Sequence, residues 1–589
     1  MSQNKNFINM SLSRLNSSVI VGSFSFVSAL LLFPIWSAPG QKIIGSSQGD
    51  TYKHLWSFWH TLTEIGTWPW TTKLNTPHGG FLLDVMLTPA LVMSPFSAIL
   101  GPVWAANLFV FFSFIAIAGA MYWFCVQKGF SKAEALGAGI LIQSFPYLLG
   151  YPFASGVYER LGCWIFPLLL VCFERHHKDG GFRWLLGAVL VLLFIAFSCQ
   201  TYAVFAALLL ALYFPVLWSR RAAVFLLLVA IALLGSFLFI RYVAQSPWTL
   251  SPQPMRFSLF AAGPMVEEST SLASLLSPFY VKAQRGVESG DWLLRLSYIG
   301  WIPLLLCGRA LYQKKLSPYI IYLGALFLIL SLGTKITAFS LSIPNPFYLL
   351  FAYTLPAYGS IPDSFQQVAV ALPFVAMGTV AGLRGLSPKT GLFLFVLCFV
   401  ERGLVLPHSA IWNASTTAVP SVYQKIYDGP VLDIPRQYKG KQLVSAAPFW
   451  YQTAHQQPIA FSVYMGVTGW DAYAPIAVGS SSDWNASARC MRKGGIRWLV
   501  IHKDWFEDPA QAARIRQQLS LQPVFDGEQL LYDLSSLSTS PMKDVYLPPR
   551  NTKLPEERPQ EELLDVDIFS MQQSKCPIDS AAPHHQGPR

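Results

Sequence analysis

The chain has 589 residues, 53% of them hydrophobic and only 12% charged, with a mean hydropathy of +0.40. Soluble domains carry about twice that charged fraction, so a soluble globular protein is excluded and a polytopic membrane protein is implied. The formal net charge of +11 comes from basic residues recurring in short clusters between apolar runs, where topology accounts for them and no basic patch interleaved with aromatics calls for nucleic acid.

Residues 1–17 are polar and carry Lys5 and Arg14. The apolar segment after them, Val19–Pro34, is longer than a signal-peptide core and reads as an uncleaved first span with a cytoplasmic N-terminus. Next comes Gly49–Gly66, GDTYKHLWSFWHTLTEIG. At helical spacing Asp50, Lys53, His54, Ser57, Thr61 and Glu64 share one face, and Tyr52, Leu55, Trp56, Trp59 and Leu62 form an opposing apolar stripe. That is the pattern of a helix lying flat on a bilayer. Its acidic leading end then sits at the outer surface, where a hydroxyl arriving from water can meet a donor arriving from lipid. Asp is equally a favoured helix N-cap, and Trp and Tyr are ordinary interfacial anchors, so the periodicity supports the helix and leaves the role of Asp50 open.

Further apolar runs lie near 103–125, 133–150, 161–173, 184–199, 202–218, 222–243, 293–312, 317–333, 365–383 and 390–407. The run Phe81–Leu100 is ambiguous because it holds Asp84, Pro89 and Pro95. If it does not span, then Lys128/Lys132, Arg175/Lys178/Arg183, Arg220/Arg221, Arg309/Lys314/Lys315 and Arg384/Lys389 all fall on the cytoplasmic side, as the positive-inside bias requires. It therefore reads as a re-entrant or juxtamembrane element, and the spans number about eleven. The same parity puts the juxtamembrane loop 37–102, the turn Gly150–Arg160, the long loop 244–292 and everything after about residue 407 outside. A loop as long as 244–292 is often functional, and it reads as a lid over the site.

From His408 the composition turns soluble. VLDIP, QLVSAAPF and GIRWLVIHKD read as short strands, DPAQAARIRQQLSL as a helix with Asp508 at its start, and Gln529–Tyr532 as a closing strand. Residues 408–540 thus form a small extracytoplasmic α/β domain, and the polar, Pro-rich stretch 541–589 has the composition of a disordered tail. The eight cysteines are scattered, with no metal-ligand spacing and no implied disulfide framework. His176-His177 lies between basic residues with no carboxylate cluster beside it, and no nucleophile constellation appears.

The order of several short motifs resembles that of the polytopic C-type glycosyltransferases, in a bacterial branch with a soluble C-terminal domain that includes YfhO-like proteins. The motifs are Gly49-Asp50 after the first span, Thr76-Pro-His-Gly-Gly80, Ser155-Gly-Val-Tyr-Glu-Arg160 leading into Trp164-Ile-Phe-Pro167, Leu355-Pro-Ala-Tyr358, and Gly495-Ile-Arg-Trp-Leu-Val500. The resemblance implies a mainly α membrane bundle over residues 1–407. It further implies inverting transfer of a sugar from a polyprenyl-phosphate donor to a glycan, lipid or protein hydroxyl on the outer face of the bacterial inner membrane, with Asp50 as base. Where relatives show an Arg-x-Pro-x-Arg-Phe-like segment, this chain has Gly359-Ser-Ile-Pro-Asp-Ser-Phe-Gln366, which removes the expectation of phosphate binding by arginines there.

The chemistry is compatible with few residues. A lipid phosphate leaves as a stabilised anion, so the reaction needs one base and some cations rather than the carboxyl pair of a glycosidase. Arg160 is the first candidate for the phosphate, since guanidinium binds it in a fixed bidentate geometry. The alternative is an ion pair with Glu159 or snorkelling at a helix end. Lys53 and His54, one turn beyond Asp50, are assisting candidates or a solvated polar face, and Arg295, with Arg241 and Arg256, flanks the long outer loop. Asp50 and Glu159 would share Mg²⁺ or Mn²⁺ if their loops meet. The rival reading is a non-catalytic lipid-linked-sugar transporter or membrane assembly factor of the same architecture. A transporter places ionisable groups at mid-membrane depth or breaks helices in related halves, and neither is evident in the sequence. A receptor-like binding module acting through 408–589 is a third.

Overall fold

The computed structural model describes residues 16–46, 50–68, 70–74, 79–81, 86–244, 269–277, 297–338, 341–359, 361, 363–405, 414–435, 446–460, 481 and 483–537. The chain divides into two compact units: Met1–Thr61, Val85–Phe239 and Met255–Thr417 form the first, and Leu62–Asp84, Ile240–Pro254 and Ala418–Arg589 the second.

The first unit is a helical bundle. Its longer helices among the described residues are α1 (Ser17–Leu31), α2 (Thr51–Glu64), α3 (Pro102–Gln127), α4 (Lys132–Gln143), α5 (Ile165–Asp179), α6 (Phe182–Ala196), α7 (Gln200–Tyr213), α8 (Arg220–Ala244), α9 (Trp301–Tyr312), α10 (Pro318–Leu330), α11 (Val368–Leu383) and α12 (Pro388–Val405). Apart from α2, each lies on one of the apolar runs read from the sequence. Among the described residues four helical stretches are long and apolar enough to cross a membrane by length and composition: Pro102–Gln127, Gln200–Leu217, Arg220–Phe239 and Ser364–Leu383. The ambiguous run folds as two short helices, Leu87–Val92 and Ser94–Leu100. Neither approaches the roughly 20 residues needed to cross a bilayer.

Helix α11 is apolar all round and buried from Val368 to Gly382, as a helix at the centre of a bundle must be. Gly378 and Gly382, one turn apart, let it approach α9 closely: a Cβ on Gly382 would meet the Leu306 carbonyl oxygen at 2.1 Å, and one on Gly378 the Cys307 Sγ at 2.6 Å. Small residues at this spacing are how membrane helices pack backbone to backbone.

Basic residues from successive loops meet through their contacts. Lys128 pairs with Glu174, Arg221 Nη1 donates to the Lys178 carbonyl at 3.3 Å, Arg384 forks onto Glu134 at 2.7 and 3.0 Å, and Arg309 Nη1 donates to the Arg384 carbonyl at 3.0 Å. Residues from all five basic clusters are thus linked, directly or through the acidic and carbonyl groups between them.

The second unit holds a four-stranded sheet in the order Val431–Ile434, Trp498–His502, Gln529–Asp533, Phe525–Asp526. The first two strands run parallel and the other pairs antiparallel. Helices Trp484–Lys493 and Ala510–Gln518 cover it, with Trp484, Met491, Leu499, Ile501, Ile515 and Tyr532 in its core. Asp508 accepts from the Ala510 amide at 2.9 Å at the start of the second helix. One expected strand is corrected: Ala447–His455, which overlaps the end of QLVSAAPF, is a helix. Pro448 at its first turn is pre-organised for helix entry and cannot donate to a ladder. A second correction concerns cysteine: Cys490 is disulfide-bonded, a pairing that scattered cysteines do not reveal.

Candidate active site

The site forms where α2 begins. Strand Lys42–Ile44 pairs antiparallel with Ala414–Thr416, joining the loop after the first helix to the segment after α12. Asn107 Nδ2 donates to the carbonyls of Pro39 and Lys42 at 3.0 and 2.8 Å, Tyr52 Oη to Thr416 at 2.6 Å, and Tyr158 Oη to the Ile44 carbonyl. The turn Gly150–Arg160 closes on the same place through Ser46 N donating to Ala154 O at 3.0 Å. Gly45 (φ +113°) and Gly156 (φ +73°) sit against Thr51 so tightly that a Cβ on Gly156 would lie 1.8 Å from Thr51 Oγ1 and 3.0 Å from its Cα. Both need the left-handed conformation that glycine adopts without a steric penalty.

The amphipathic helix is therefore not laid out on a bilayer. Thr51 through Thr61 is buried on every face, and the polar stripe read as a solvated face meets protein: Lys53 is 7% exposed and His54 2%. Trp56, read as an interfacial anchor, is fully buried and stacks on His60 with centroids 4.4 Å apart.

Asp50, His54 and Glu159 each offer one ligating atom, all within 4.8 Å of one another. Lys53 Nζ lies 2.9 Å from Asp50 Oδ2, and His54 Nε2 lies 2.6 Å from Glu159 Oε2. Neither of the last two atoms makes an aligned hydrogen bond, and both are buried. Burial pushes the Glu159 carboxyl up, but His54, then Lys53 and Arg160, outweigh it and hold the group well below the usual carboxylate range. Arg160 lies beside Glu159 (Nε to Oε1 3.8 Å), donates from Nη1 to Cys199 Sγ at 2.8 Å, and faces the Tyr202 ring at 5.7 Å. Its Nε is buried without a hydrogen-bond partner among the described residues. Asp50 differs from all of these, with 42% of its side chain exposed against 9% for Lys53, 10% for Glu159 and 14% for Arg160.

The fold thus brings together Asp50, Lys53, His54, Glu159 and Arg160, five of the residues singled out in the sequence. Arg295 and Arg256 lie outside the described residues, as do the Arg241 side chain and most of the loop 244–292. The described part of that loop, 269–277, joins the bundle through Thr270 N to Ser331 O at 3.2 Å and Ile299 N to Leu275 O at 3.2 Å. The sequence reading missed Tyr151 and Gln366, which hydrogen-bond across the bundle at 3.2 Å. A buried tyrosine and glutamine in apolar surroundings give no local signal.

The bundle is that of a membrane protein, and its likeness to solved structures shows the C-type glycosyltransferase fold. Among solved structures, the arabinofuranosyltransferase AftD from Mycobacteria is similar at a TM-score of 0.52 and 15% identity, over 88% of this chain and 42% of that one. The chain therefore spans about two fifths of the AftD length. ArnT from Cupriavidus metallidurans, bound to undecaprenyl phosphate, is similar at a TM-score of 0.46 and 12% identity over 90% of this chain and all of that one. The Archaeoglobus fulgidus oligosaccharyltransferase, in complex with Zn and sulfate, gives 0.43 and 10% over 82% and 68%. No family model matches the chain, and no curated protein matches it in sequence.

Proposed function

We propose that the protein is an inverting membrane glycosyltransferase that moves a sugar from a polyprenyl-phosphate donor to an acceptor hydroxyl on the extracytoplasmic face. The observation that carries this reading is the contrast at the start of α2: one half-open carboxylate, Asp50, beside a buried, positively flanked cluster. A single displacement needs that and no more. Asp50 takes the proton from the acceptor hydroxyl, the acceptor oxygen bonds to the sugar's anomeric carbon, and the carbon–phosphate-oxygen bond breaks with its electron pair left on the phosphate. Arg160 and Lys53 supply the positive charge that the departing phosphate gains most from. Glu159, buried against His54 and Arg160, is not a second free carboxylate.

Asp50, His54 and Glu159 also fit a divalent cation, since two buried ligand atoms face each other without an aligned hydrogen bond. The imidazole moves the preference from Mg²⁺ towards Mn²⁺ or Zn²⁺. Bound there, an ion would supply charge for the leaving phosphate; the Lys53 ammonium already supplies one such charge at Asp50.

The orientation follows from the same framework. The basic clusters are linked to one another, and we assign them to the cytoplasmic side, with about eleven spans and the catalytic cluster outside. The disulfide at Cys490 suits an oxidising compartment for the domain after residue 407.

The test is transfer by the purified full chain in nanodiscs from radiolabelled polyprenyl-phosphate sugars, wild type against Asp50→Asn. The substitution keeps the side chain's shape and removes the base, so turnover should fall about 10²- to 10⁴-fold. Equal turnover in the two would return Asp50 to a structural role.

A further inference from the structure

We infer that Tyr151 is a further phosphate-binding residue, its hydroxyl donating to the donor lipid's phosphate beside Arg160, and that Gln366 and Asp363 are the positioning residues that aim it. This rests on the function proposed above.

Tyr151 stands in the turn Gly150–Arg160, in a wide-turn helix, Leu149–Ala154, that contains Pro152. Wide single turns of this kind are frequent at functional sites. Its ring is fixed edge-on to Phe365, with centroids 4.9 Å apart at 71°. The Gln366 amide nitrogen donates to Tyr151 Oη at 3.2 Å and to Asp363 Oδ2 at 2.8 Å. An amide nitrogen can only donate, so the phenol oxygen is the acceptor and its own hydrogen is turned elsewhere. Among the described residues no acceptor receives it.

Tyr151 and Arg160 flank the same tyrosine pair: the Tyr147 ring lies 6.0 Å from that of Tyr151 and its hydroxyl 3.0 Å from that of Tyr202, whose ring Arg160 faces at 5.7 Å. Burial pushes the Tyr151 phenol up, Arg160 pulls it down, and Asp363, Glu159 and Asp50 raise it further, so all four groups act on this one side chain. The phenol stays protonated and remains a donor. Arg160 Nε, with the Glu159 carboxylate at 3.8 Å, and Gln366 Oε1 are buried without hydrogen-bond partners among the described residues. Two unanswered donors, a guanidinium N–H and a phenol O–H, suit an anion with several acceptor oxygens, and a phosphate monoester or diester is that anion.

Asp363 and Gln366 lie in the segment Gly359–Gln366, which holds no arginine. It acts indirectly: Asp363 takes one hydrogen of the Gln366 amide, fixing its rotamer, and the other hydrogen fixes the phenol. As the anomeric carbon–oxygen bond breaks and the electron pair passes to the phosphate, both Arg160 and Tyr151 bind a stronger acceptor. Tyr151 keeps its proton throughout and acts by hydrogen bonding alone.

The experiment uses the full chain in nanodiscs and measures affinity for undecaprenyl phosphate, together with transfer kinetics. Tyr151→Phe removes one oxygen and keeps the ring packing. It should weaken undecaprenyl phosphate binding about 10-fold and lower kcat about 10²-fold, as loss of one donor to a developing anion does. Gln366→Met should give a smaller loss of the same kind. The double variant should be no worse than Tyr151→Phe, because Gln366 acts through that hydroxyl. A thermal midpoint unchanged from wild type shows that each variant is folded; if Tyr151→Phe melts early, Gln366→Met carries the test. Wild-type affinity in Tyr151→Phe, strictly additive losses in the double variant, or a wild type that does not bind undecaprenyl phosphate would each overturn the inference. Binding that depends on Tyr151 in a chain without transfer activity would uphold it and refute the proposed enzyme.

Discussion

Gly156→Ala tests whether the docking of the turn Gly150–Arg160 on α2 builds the site. The left-handed backbone at φ +73° costs a residue with a Cβ about 1–2 kcal/mol. The methyl would also stand 1.8 Å from Thr51 Oγ1, 2.9 Å from its Cβ and 3.0 Å from its Cα. The hydroxyl can swing away, but Cβ and Cα belong to the helix and must retreat by about 0.5 Å to reach ordinary contact, an overpacking cost of about 1–3 kcal/mol. The whole penalty, about 2–5 kcal/mol, falls between Asp50 on one side and Glu159 on the other. Misplacement by about 1 Å costs on the order of 100-fold in rate, so we expect a lowered thermal midpoint and at least a 10-fold loss of transfer in the nanodisc assay. Gly66→Ala, where an added Cβ meets nothing within 4 Å, is the control. A Gly156→Ala protein with wild-type melting and turnover would refute the claim that this contact sets the site.

Two further predictions concern stability. Burial holds the His455 imidazole down to about 4, with Asp433 opposing and Lys73 reinforcing the shift. Its Nδ1 accepts from the Gln457 amide at 3.0 Å, which requires the neutral ring. The unfolded chain takes up a proton below about pH 6.5 that the folded chain refuses until about 4, so stability declines across that window as pH falls, by on the order of 3 kcal/mol. Thermal midpoints of His455→Gln measured from pH 7 to 4 should show a flatter decline, and an identical slope would count against the assignment. Glu401 accepts from Tyr298 Oη at 2.7 Å and from the amides of Trp301 and Ile302 at 2.6 and 3.1 Å, capping α9. Glu401→Ala should cost about 1–3 kcal/mol, read as a lower melting midpoint; no change would mean that other groups satisfy those amides.

The apolar runs gave the bundle helices almost directly, because a segment rich in Leu, Phe and Ala with few charges has few alternatives to a membrane helix, and position in the chain sets their order. Asp50, Glu159 and Arg160 were legible as candidates because charged residues are rare enough here to stand out. Periodicity also found α2 but mistook its surroundings. The spacing of Lys53, His54 and Ser57 shows that a helix has a polar face and says nothing of what covers that face. Gln366 and Tyr151 were invisible for a related reason, since neither carries a charge and each becomes informative only through the other.

What the residues alone determined was composition and helix positions, properties that neighbouring positions share with the solvent or lipid around them. What only the tertiary structure decided was proximity: Lys42–Ile44 on Ala414–Thr416, His54 on Glu159, Gly156 on Thr51. Such pairings depend on how distant segments close-pack, and a glycine that permits the approach looks, in sequence, like any other glycine.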